Sequence, residues 1–445
     1  MAPRSRSSRT GSTALRARSE ELVLRALQHH GFTHARGFRN DSFDGLPLAK
    51  LAETAGLSRP SVYNVQGVYQ NLLLDPLRLR PDIGYGVGVE LGPRHARVAI
   101  ADIHGQLFEQ LEGFEQYFKL LEPPEEYLDW AAPKIDELVR KAGVEPNEVM
   151  GVGISQVAPI NTSTGHPHPS GLANKAWRDV NVGDQLARRL VGLRREWEGV
   201  RTGPSDNDTN LSVLAEHTFG SAHDVDDVLY VNWSNHVGFG LILAGKPYRG
   251  SRGYAGELGH LLIDEDRGAR KRKKAEESCA RCGRVGCLEM RVGASWLAEE
   301  FGAREDELVK ADDYVLDRVR RVGYEDDERL RVDDAARLLG QSVASIVDTL
   351  DPAVLILGGS IGGRIHDDTA LLRAFREGLD ERMMGFAHEI EIRQPRLQTS
   401  AVQGAILRVL SERLLNWAQQ KVAAIAETEP QATKNRGTAT PGTDT

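Results

Sequence analysis

Beyond residue 82, the chain alternates glycine-punctuated apolar strands with helical segments, and this alternation starts twice. The first series has strands at 85–92, at 94–103 and from Gln106, a helix at about 125–142 and a buried strand at 149–155. The second series starts at 227–245 and ends with a helix at 333–350 followed by a strand at 353–360. Alternating strands and helices predict an α/β architecture, and two series predict two lobes around a cleft. A chain of 445 residues has room for roughly two to four folding units.

The sequence contains no stretch of about 18 apolar residues, and its polar, Arg-rich beginning has no apolar segment after it. We therefore expect neither a membrane span nor a secretory signal. The three cysteines cannot form a complete set of disulfides, which favours a reducing compartment. The expected location is the cytoplasm.

The net charge of -8 hides a basic N-terminal part. Residues 1–80 carry twelve Lys and Arg against six Asp and Glu, and the first eighteen residues hold five Arg without an acid. A basic unit joined to an acidic body indicates contact with a polyanion, and a solvated basic tail is the alternative. The composition predicts disorder at 1–13 and at 427–445.

Apolar residues at helical spacing predict a helix from Ala14 to His30, and residues 46–68 contain two further helical patterns separated by a sharp break. Ala52, Gly56 and Val62 have the spacing of a helix-turn-helix, with Ser58 as N-cap of the second helix. This helix would offer its side chains to a DNA major groove: Ser58, Arg59, Ser61, Tyr63 and Asn64. An ordinary helical hairpin is the alternative.

All three cysteines lie between Cys279 and Cys287, at C-x2-C-x4-C spacing. Three thiolates so close together can converge on one tetrahedral cation. Because the chain has no other cysteine and His260 is the nearest upstream histidine, we predict a structural zinc site made of His260, Cys279, Cys282 and Cys287. Three unrelated thiols are the alternative.

Two further segments carry polar groups in short motifs. Asn207 and Asp208 stand at the start of a helical pattern, where an amide and a carboxylate can bond paired hydroxyls of a ligand. A turn or an N-cap explains the same residues. Glu257 and His260 lie three residues apart in GYAGELGH, for which a capped glycine loop is the alternative.

Four motifs together resemble the ROK family, which groups sugar-responsive repressors with sugar kinases: NDTN (207–210), ELGH (257–260), CARCGRVGCLE (279–289) and VLILGGS (354–360). The resemblance covers about residues 83–415, and the helix-turn-helix matches the repressor branch. It implies an α/β protein with an N-terminal (winged) helix-turn-helix domain and a two-lobed actin-like (ribonuclease H-like) sugar-kinase fold. Because only LLLDPLRLRPDIG precedes the first strand of the body, the wing must be short or missing.

The resemblance also implies functional residues. Those expected to contact a sugar are Asn174, Asn207, Asp208, Glu257, His260 and Glu289, with Trp177 nearby, and His260 would join the three cysteines on zinc. The chain departs from the family in having C-x2-C where C-x-C is usual, and in a basic insertion at 267–274.

Kinases of this family carry D-x-G-x-T-K and G-T-G-x-G around the phosphates of ATP. The corresponding segments here are ELGPRH (90–95) and SNHVG (234–238), which lack most of the hydroxyl and glycine positions that cradle phosphate. No ATP binding is therefore expected. Asp208, the general base of such a kinase, is present, but hydrogen bonding to a sugar hydroxyl explains it equally well.

The sequence thus predicts a transcriptional repressor that binds double-stranded operator DNA as a homodimer or homotetramer, without contact to a membrane, and responds to a sugar or sugar derivative. The predicted segments are a basic arm at 1–13, a helix-turn-helix domain at 14–82, a kinase-like body at 83–426 with its cleft near 205, and a tail at 427–445. The alternatives are an ATP-dependent hexose kinase with a DNA-binding head, and a sugar-insensitive regulator that uses the body as a dimerisation scaffold.

Overall fold

The computed structural model divides the chain into two compact units, Met1–Gly84 with Ser411–Thr445, and Tyr85–Leu410. The described residues are 7–34, 45–74, 77–92, 95–108, 114–117, 122–168, 175–263, 278–279, 281–304, 307–321, 326–385 and 390–428. The basic insertion at 267–274 lies outside them. Among the described residues, no helix is both long and apolar enough to cross a membrane.

The smaller unit is mainly helical. Its elements are α1 (Ser7–His34), α2 (Leu48–Ala55), α3 (Arg59–Tyr69), β1 (Leu73–Leu74) and β2 (Arg78–Leu79), together with the end of the last helix of the chain. Gly56 forms the turn between α2 and α3 with φ of 63°, a left-handed conformation that glycine adopts without strain. Ser58 caps α3 by accepting from the backbone N–H of Ser61 at 3.4 Å, and Val62 is fully buried.

Two features of this unit refine the sequence prediction. The first helix begins at Ser7, so residues 7–13 are helical where we expected disorder. Each residue added to an existing helix gains one backbone hydrogen bond and requires no new nucleation, which offsets the poor helix propensity of Ser, Thr and Gly there. The wing exists in a short form, because β1 and β2 pair antiparallel from Leu73 opposite Leu79 to Leu74 opposite Arg78.

The first lobe of the larger unit is a five-stranded sheet with helices. Its elements are β3 (Tyr85–Leu91), β4 (His95–Asp102), β5 (Phe114–Tyr117), α4 (Pro124–Lys141), β6 (Val149–Gln156), α5 (Val182–Leu193) and β7 (Thr202–Asn207). The next helix, α6 (Asp208–Thr218), follows β7 directly and packs mainly against the sheet of the second lobe. The strand order is β5-β4-β3-β6-β7. The third strand was expected from Gln106; among the described residues Leu107 bridges Ala101, and the strand paired with β4 runs over Phe114–Tyr117.

The second lobe is also built on a five-stranded sheet. Its elements are β8 (Val228–Trp233), β9 (Val237–Leu243), β10 (Lys246–Pro247), α7 (Glu289–Val292), α8 (Ala294–Glu300), α9 (Ala311–Arg321), α10 (Asp327–Leu350), β11 (Val354–Gly358), α11 (Gly359–Gly362), α12 (Thr369–Asp380) and β12 (Glu391–Arg393). The strand order β10-β9-β8-β11-β12 repeats that of the first lobe. In each lobe an antiparallel meander is followed by two parallel strands, so the duplicated alternation in the sequence corresponds to two copies of one topology.

The last helix, α13 (Ser400–Thr428), belongs to both units. Its residues up to Leu410 pack in the larger unit, and those from Ser411 onward belong to the smaller one. This division lies at Leu410, whereas the body was predicted to extend to 426. In the larger unit α13 packs directly on strand backbone, because a Cβ added to Gly88 or Gly153 would overlap the carbonyl oxygen of Val402 or Ala405.

The close contact between Gly153 and α13 predicts that one added methyl group destabilises the protein. Gly153→Ala should lower the free energy of unfolding by about 3 kcal/mol, because neither the strand nor the helix backbone can yield without losing hydrogen bonds. Urea unfolding followed by circular dichroism measures the change. The matched control is Gly192→Ala in α5, where an added Cβ meets no atom within 4 Å and should stabilise by about 0.5–1 kcal/mol. Equal stability of both variants would contradict the close contact.

Candidate functional site

The junction between β7 and α6 holds Asn207 and Asp208. Asn207 caps α6, since its Oδ1 accepts from the backbone N–H groups of Thr209 at 2.9 Å and Asn210 at 3.3 Å, and its Nδ2 donates to the carbonyl of Ala158 at 3.2 Å. The N-cap interpretation of Asn207 is therefore correct. The cap also fixes the position of Asp208 at the first residue of the helix.

A narrow pocket beside this junction, here called the inner pocket, joins residues that are distant in sequence. Its ionisable and amide-bearing lining includes Asn207, Asp208, Glu257, His260, Arg281 and Glu289. All but Arg281 are predicted sugar-binding residues, whereas the sixth predicted residue, Asn174, lies outside the described residues. Trp177 is buried in the core of the first lobe, where its Nε1 donates to the carbonyl of Glu122 and its ring meets Tyr127 edge-on.

Two carboxyl groups of the inner pocket have raised pKa values. Burial raises the pKa of Glu257 to about 7 and that of Asp208 to about 6. The charge of Glu90 adds to the shift of Asp208, while Arg281 opposes the shift of both groups. A carboxyl group with a pKa near neutrality can donate as well as accept a hydrogen bond, which suits a ligand rich in hydroxyl groups.

Glu289 behaves differently because it has cationic neighbours. Burial alone would raise the pKa of Glu289, but His236 and Arg281 outweigh burial and hold it at about 2. One carboxylate oxygen lies 3.5 Å from His236 Nδ1, and the other accepts from the backbone N–H of Val237 at 3.3 Å. The inner pocket therefore combines one carboxyl group whose pKa is lowered by its cationic neighbours with two whose pKa values are raised by burial.

Sequence reasoning missed Arg281. This residue lies within the C-x2-C segment and lines the same pocket as the three carboxyl groups. Its positive charge acts on Asp208, Glu257 and Glu289. The lengthened cysteine spacing was the available signal, but spacing does not tell which way a side chain between two cysteines points.

The three cysteines and His260 form a compact cluster whose four ligand atoms lie within 4.8 Å of one another. Cys282 and Cys287 Sγ are 3.3 Å apart, and Cys279 Sγ is 3.7 Å from His260 Nδ1. The other ring nitrogen of His260 lies 4.0 Å from a carboxylate oxygen of Glu257. The predicted ligand set is therefore assembled in the structure, and its histidine stands between the cluster and the inner pocket.

A larger cavity of about 810 Å³, here called the outer cleft, shares Asp208 and His236 with the inner pocket. At its edge, Glu90 lies 3.0 Å from His95 Nε2 and 3.4 Å from Arg97 Nη1. Burial would raise the pKa of Glu90, but these two neighbours hold it at about 2. The ring of His95 folds over Gly92, where an added Cβ would overlap it. Pro93 and Arg94 lie outside the described residues.

The predicted DNA-binding residues share one exposed surface at the start of α3. The side chains of Ser58, Arg59, Tyr63 and Asn64 are exposed and that of Ser61 is half-buried. Tyr63 is 61% exposed, although large aromatic side chains are usually covered. Val62 and Val65 on the opposite side of the helix are buried in the small unit.

The raised pKa of Asp208 predicts a pH-dependent stability. The folded state holds this proton more tightly than the unfolded state, so the contribution of Asp208 to stability falls as the pH rises from about 4 through 6. Asp208→Asn should therefore stabilise the protein at pH 8 relative to pH 4.5, by about 1–3 kcal/mol. Thermal unfolding at the two pH values measures it, with the exposed Asp129→Asn as control. A difference that is the same at both pH values would contradict the assigned shift.

Comparison with known proteins gives a consistent result. The profile of the ROK family matches residues 86–412. A protein named xylose repressor from Caldicellulosiruptor bescii is 25% identical over 356 residues, which cover 76% of this chain and 81% of that protein.

Solved structures agree with this match. A ROK hexokinase from Thermus thermophilus is 25% identical with a TM-score of 0.53, covering 76% of this chain and 99% of its own. A ROK family transcriptional regulator described as a homolog of the E. coli MLC protein has a TM-score of 0.63 at 17% identity, covering 90% of this chain and 100% of its own. The larger unit thus has the two-lobed, actin-like sugar-kinase fold. With a profile match that includes both sheets, the chain belongs to the ROK family.

Proposed function

We propose that the protein is a DNA-binding transcriptional repressor whose operator affinity is controlled by a sugar bound in the inner pocket. The observation that carries the proposal is that one chain combines an exposed α3 surface with a sugar-kinase-like inner pocket, next to an outer cleft in which the ring of His95 covers Gly92. The relative named xylose repressor aligns over 76% of the chain, which supports the same combination.

The DNA contact is assigned to the start of α3. Arg59, Tyr63 and Asn64 are exposed together there, and residues of these types bond phosphates and base edges in a major groove. A homodimer or homotetramer would present two such helices to the two halves of a palindromic operator.

The sugar contact is assigned to Asn207, Asp208, Glu257, His260 and Glu289, with Asn174 as a further candidate. An ionised carboxylate such as Glu289 accepts hydrogen bonds from sugar hydroxyls, and a carboxyl group with a raised pKa such as Glu257 can also donate one when protonated. Xylose is the first sugar to consider because of the names of the relatives, and the same chemistry also fits a hexose or an amino sugar.

The cluster of His260, Cys279, Cys282 and Cys287 is assigned to zinc. Three sulfurs and one imidazole nitrogen are a common ligand set for structural zinc, and their mutual distances suit a tetrahedral ion. The ion would hold the turn around Gly283 closed and fix His260 with its other nitrogen towards Glu257.

A hexose kinase is the alternative function, and the relatives include one. Against it stands the edge of the outer cleft, where His95 covers Gly92 and pairs with Glu90. Phosphoryl transfer depends on backbone N–H groups and small hydroxyl residues around the phosphates, and an imidazole ring over the turn obstructs that approach.

The repressor proposal predicts a sugar-dependent loss of DNA affinity. A duplex selected by the protein from a random-sequence pool is titrated by fluorescence anisotropy in the presence of D-xylose, D-glucose or N-acetyl-D-glucosamine. At least one sugar should weaken binding about 5- to 150-fold, the usual range for coupling between two sites. Turnover of any of these sugars with ATP that is abolished by Asp208→Asn would instead support the kinase.

The zinc assignment predicts one equivalent of zinc per chain in protein purified without chelators. Cys282→Ser should lose most of the metal and melt at a lower temperature, because metal binding and local folding are coupled. Elemental analysis and thermal unfolding measure both effects. Ser278→Ala, at an exposed neighbouring residue, is the control and should behave as the wild type. Wild-type protein without metal, melting like Cys282→Ser, would refute the assignment.

A further inference from the structure

The carboxylate of Asp206 is a buried charge next to the inner pocket, and both of its oxygens have partners. It is fully buried at the end of β7, immediately before Asn207. Arg249 Nε donates to its Oδ2 at 2.6 Å, and Arg408 Nη1 lies 2.7 Å from the same oxygen. Arg408 Nη1 also donates to the carbonyl of Ser205 at 3.2 Å. We call Asp206, Arg249 and Arg408 the Asp206 cluster.

The other oxygen of this carboxylate contacts residues at the start of α6, next to the inner pocket. Asp206 Oδ1 accepts from the backbone N–H of Asn207 at 2.9 Å and from Asn210 Nδ2 at 3.4 Å. Arg249 belongs to the second lobe, and its carbonyl accepts from Ala255, two residues before Glu257. One carboxylate therefore contacts the start of α6 and the segment leading to Glu257, and both of these line the inner pocket.

Arg408 belongs to α13, whose later residues have partners in the smaller unit. Trp417 Nε1 donates to the carbonyl of Ile83 at 2.8 Å, and Gln419 Nε2 donates to a carboxylate oxygen of Glu20 at 3.2 Å. The same oxygen of Glu20 accepts from the hydroxyl of Tyr69 at 3.0 Å. Tyr69 is the last residue of α3, the helix with the exposed Arg59 and Asn64.

We propose that the Asp206 cluster is a positioning site that transmits sugar occupancy from the inner pocket through α13 to the DNA-binding unit. The inference rests on the proposed function, because it assigns the route by which that sugar acts. A sugar that draws Asp208 and Glu257 together displaces Arg249 against Asp206, and Arg408 follows because a buried ion pair tolerates little misalignment. A continuous helix then carries the displacement past Leu410 without loss of its backbone hydrogen bonds.

The test variant is Arg408→Met, which keeps an unbranched apolar side chain and leaves Arg249 to pair with Asp206. The double variant Asp206→Asn with Arg408→Met removes two charges together, so no carboxylate is left buried without its partner. The matched control is Arg337→Met, which removes the exposed ion pairs with Glu377 and Glu381 on helices of the second lobe.

Each protein is studied at full length with the selected duplex and with D-xylose, D-glucose and N-acetyl-D-glucosamine as probes. Calorimetry measures sugar binding, anisotropy measures the ratio of duplex affinities without and with sugar, and hydrogen exchange measures protection of 411–428. We expect wild type and Arg337→Met to show a 5- to 150-fold ratio and changed protection at 411–428. Arg408→Met and the double variant should bind the sugar with a ratio below about 2 and unchanged protection.

Three outcomes separate this inference from the repressor proposal. The Asp206 cluster is not the route if folded Arg408→Met keeps the wild-type ratio of duplex affinities without and with sugar. If Arg408→Met does not fold, the same result with the folded double variant overturns the route. A second outcome is that the protein binds no duplex, but sugar changes the hydrogen-exchange protection of 411–428 and Arg408→Met abolishes this change. That outcome supports the route and overturns the repressor role. A wild type that binds none of the three sugars overturns both.

Discussion

The larger unit depends on the close approach of α13 to the backbone of its neighbours. The strands β3 and β6 present Gly88 and Gly153 to this helix, and Gly404 of the helix itself lies against the carbonyl of Leu211 in α6. Because these contacts bring backbone against backbone, the helix cannot slide or lift on the strands without steric overlap, and any displacement must be shared by the strands, α6 and α13. The start of α6 also carries Asp208, so the ligand pocket and the last helix share one rigid packing arrangement.

The charges of the cleft are set by the cations next to each carboxyl group. Glu90 and Glu289 keep low pKa values because His95, Arg97, His236 and Arg281 compensate for burial, whereas Asp208 and Glu257 have too little compensation and titrate near neutral pH. A kinase needs this region for phosphate and its general base. Here the ring of His95, paired with Glu90, covers Gly92, and Asp208 and Glu257 can donate as well as accept hydrogen bonds, which supports the proposed sugar sensor.

Local patterns in the sequence predicted much of this structure, and their failures have physical causes. The duplicated alternation gave both sheets, and the glycine and serine around residues 56–58 gave the turn and cap of the helix-turn-helix. The start of α1 was missed because helix elongation overrides weak propensity once a nucleus exists. The bounds of the third strand could not be read from the sequence, because alternation of residues shows which face is buried, but not where a partner strand offers hydrogen bonds.

The sequence by itself determined the ligand types, since three clustered thiols with a nearby histidine and a set of acid and amide motifs define the available chemistry wherever they come together. Only the tertiary structure decided which of these groups share a pocket. Residues from the end of β7, from 253–260 and from the segment 279–289 that contains the cysteines come together only when the two lobes pack. The same holds for Arg281 and for Asp206 with its two arginines. Their roles depend on side-chain direction and on contacts between residues up to about 200 positions apart, which local periodicity does not encode.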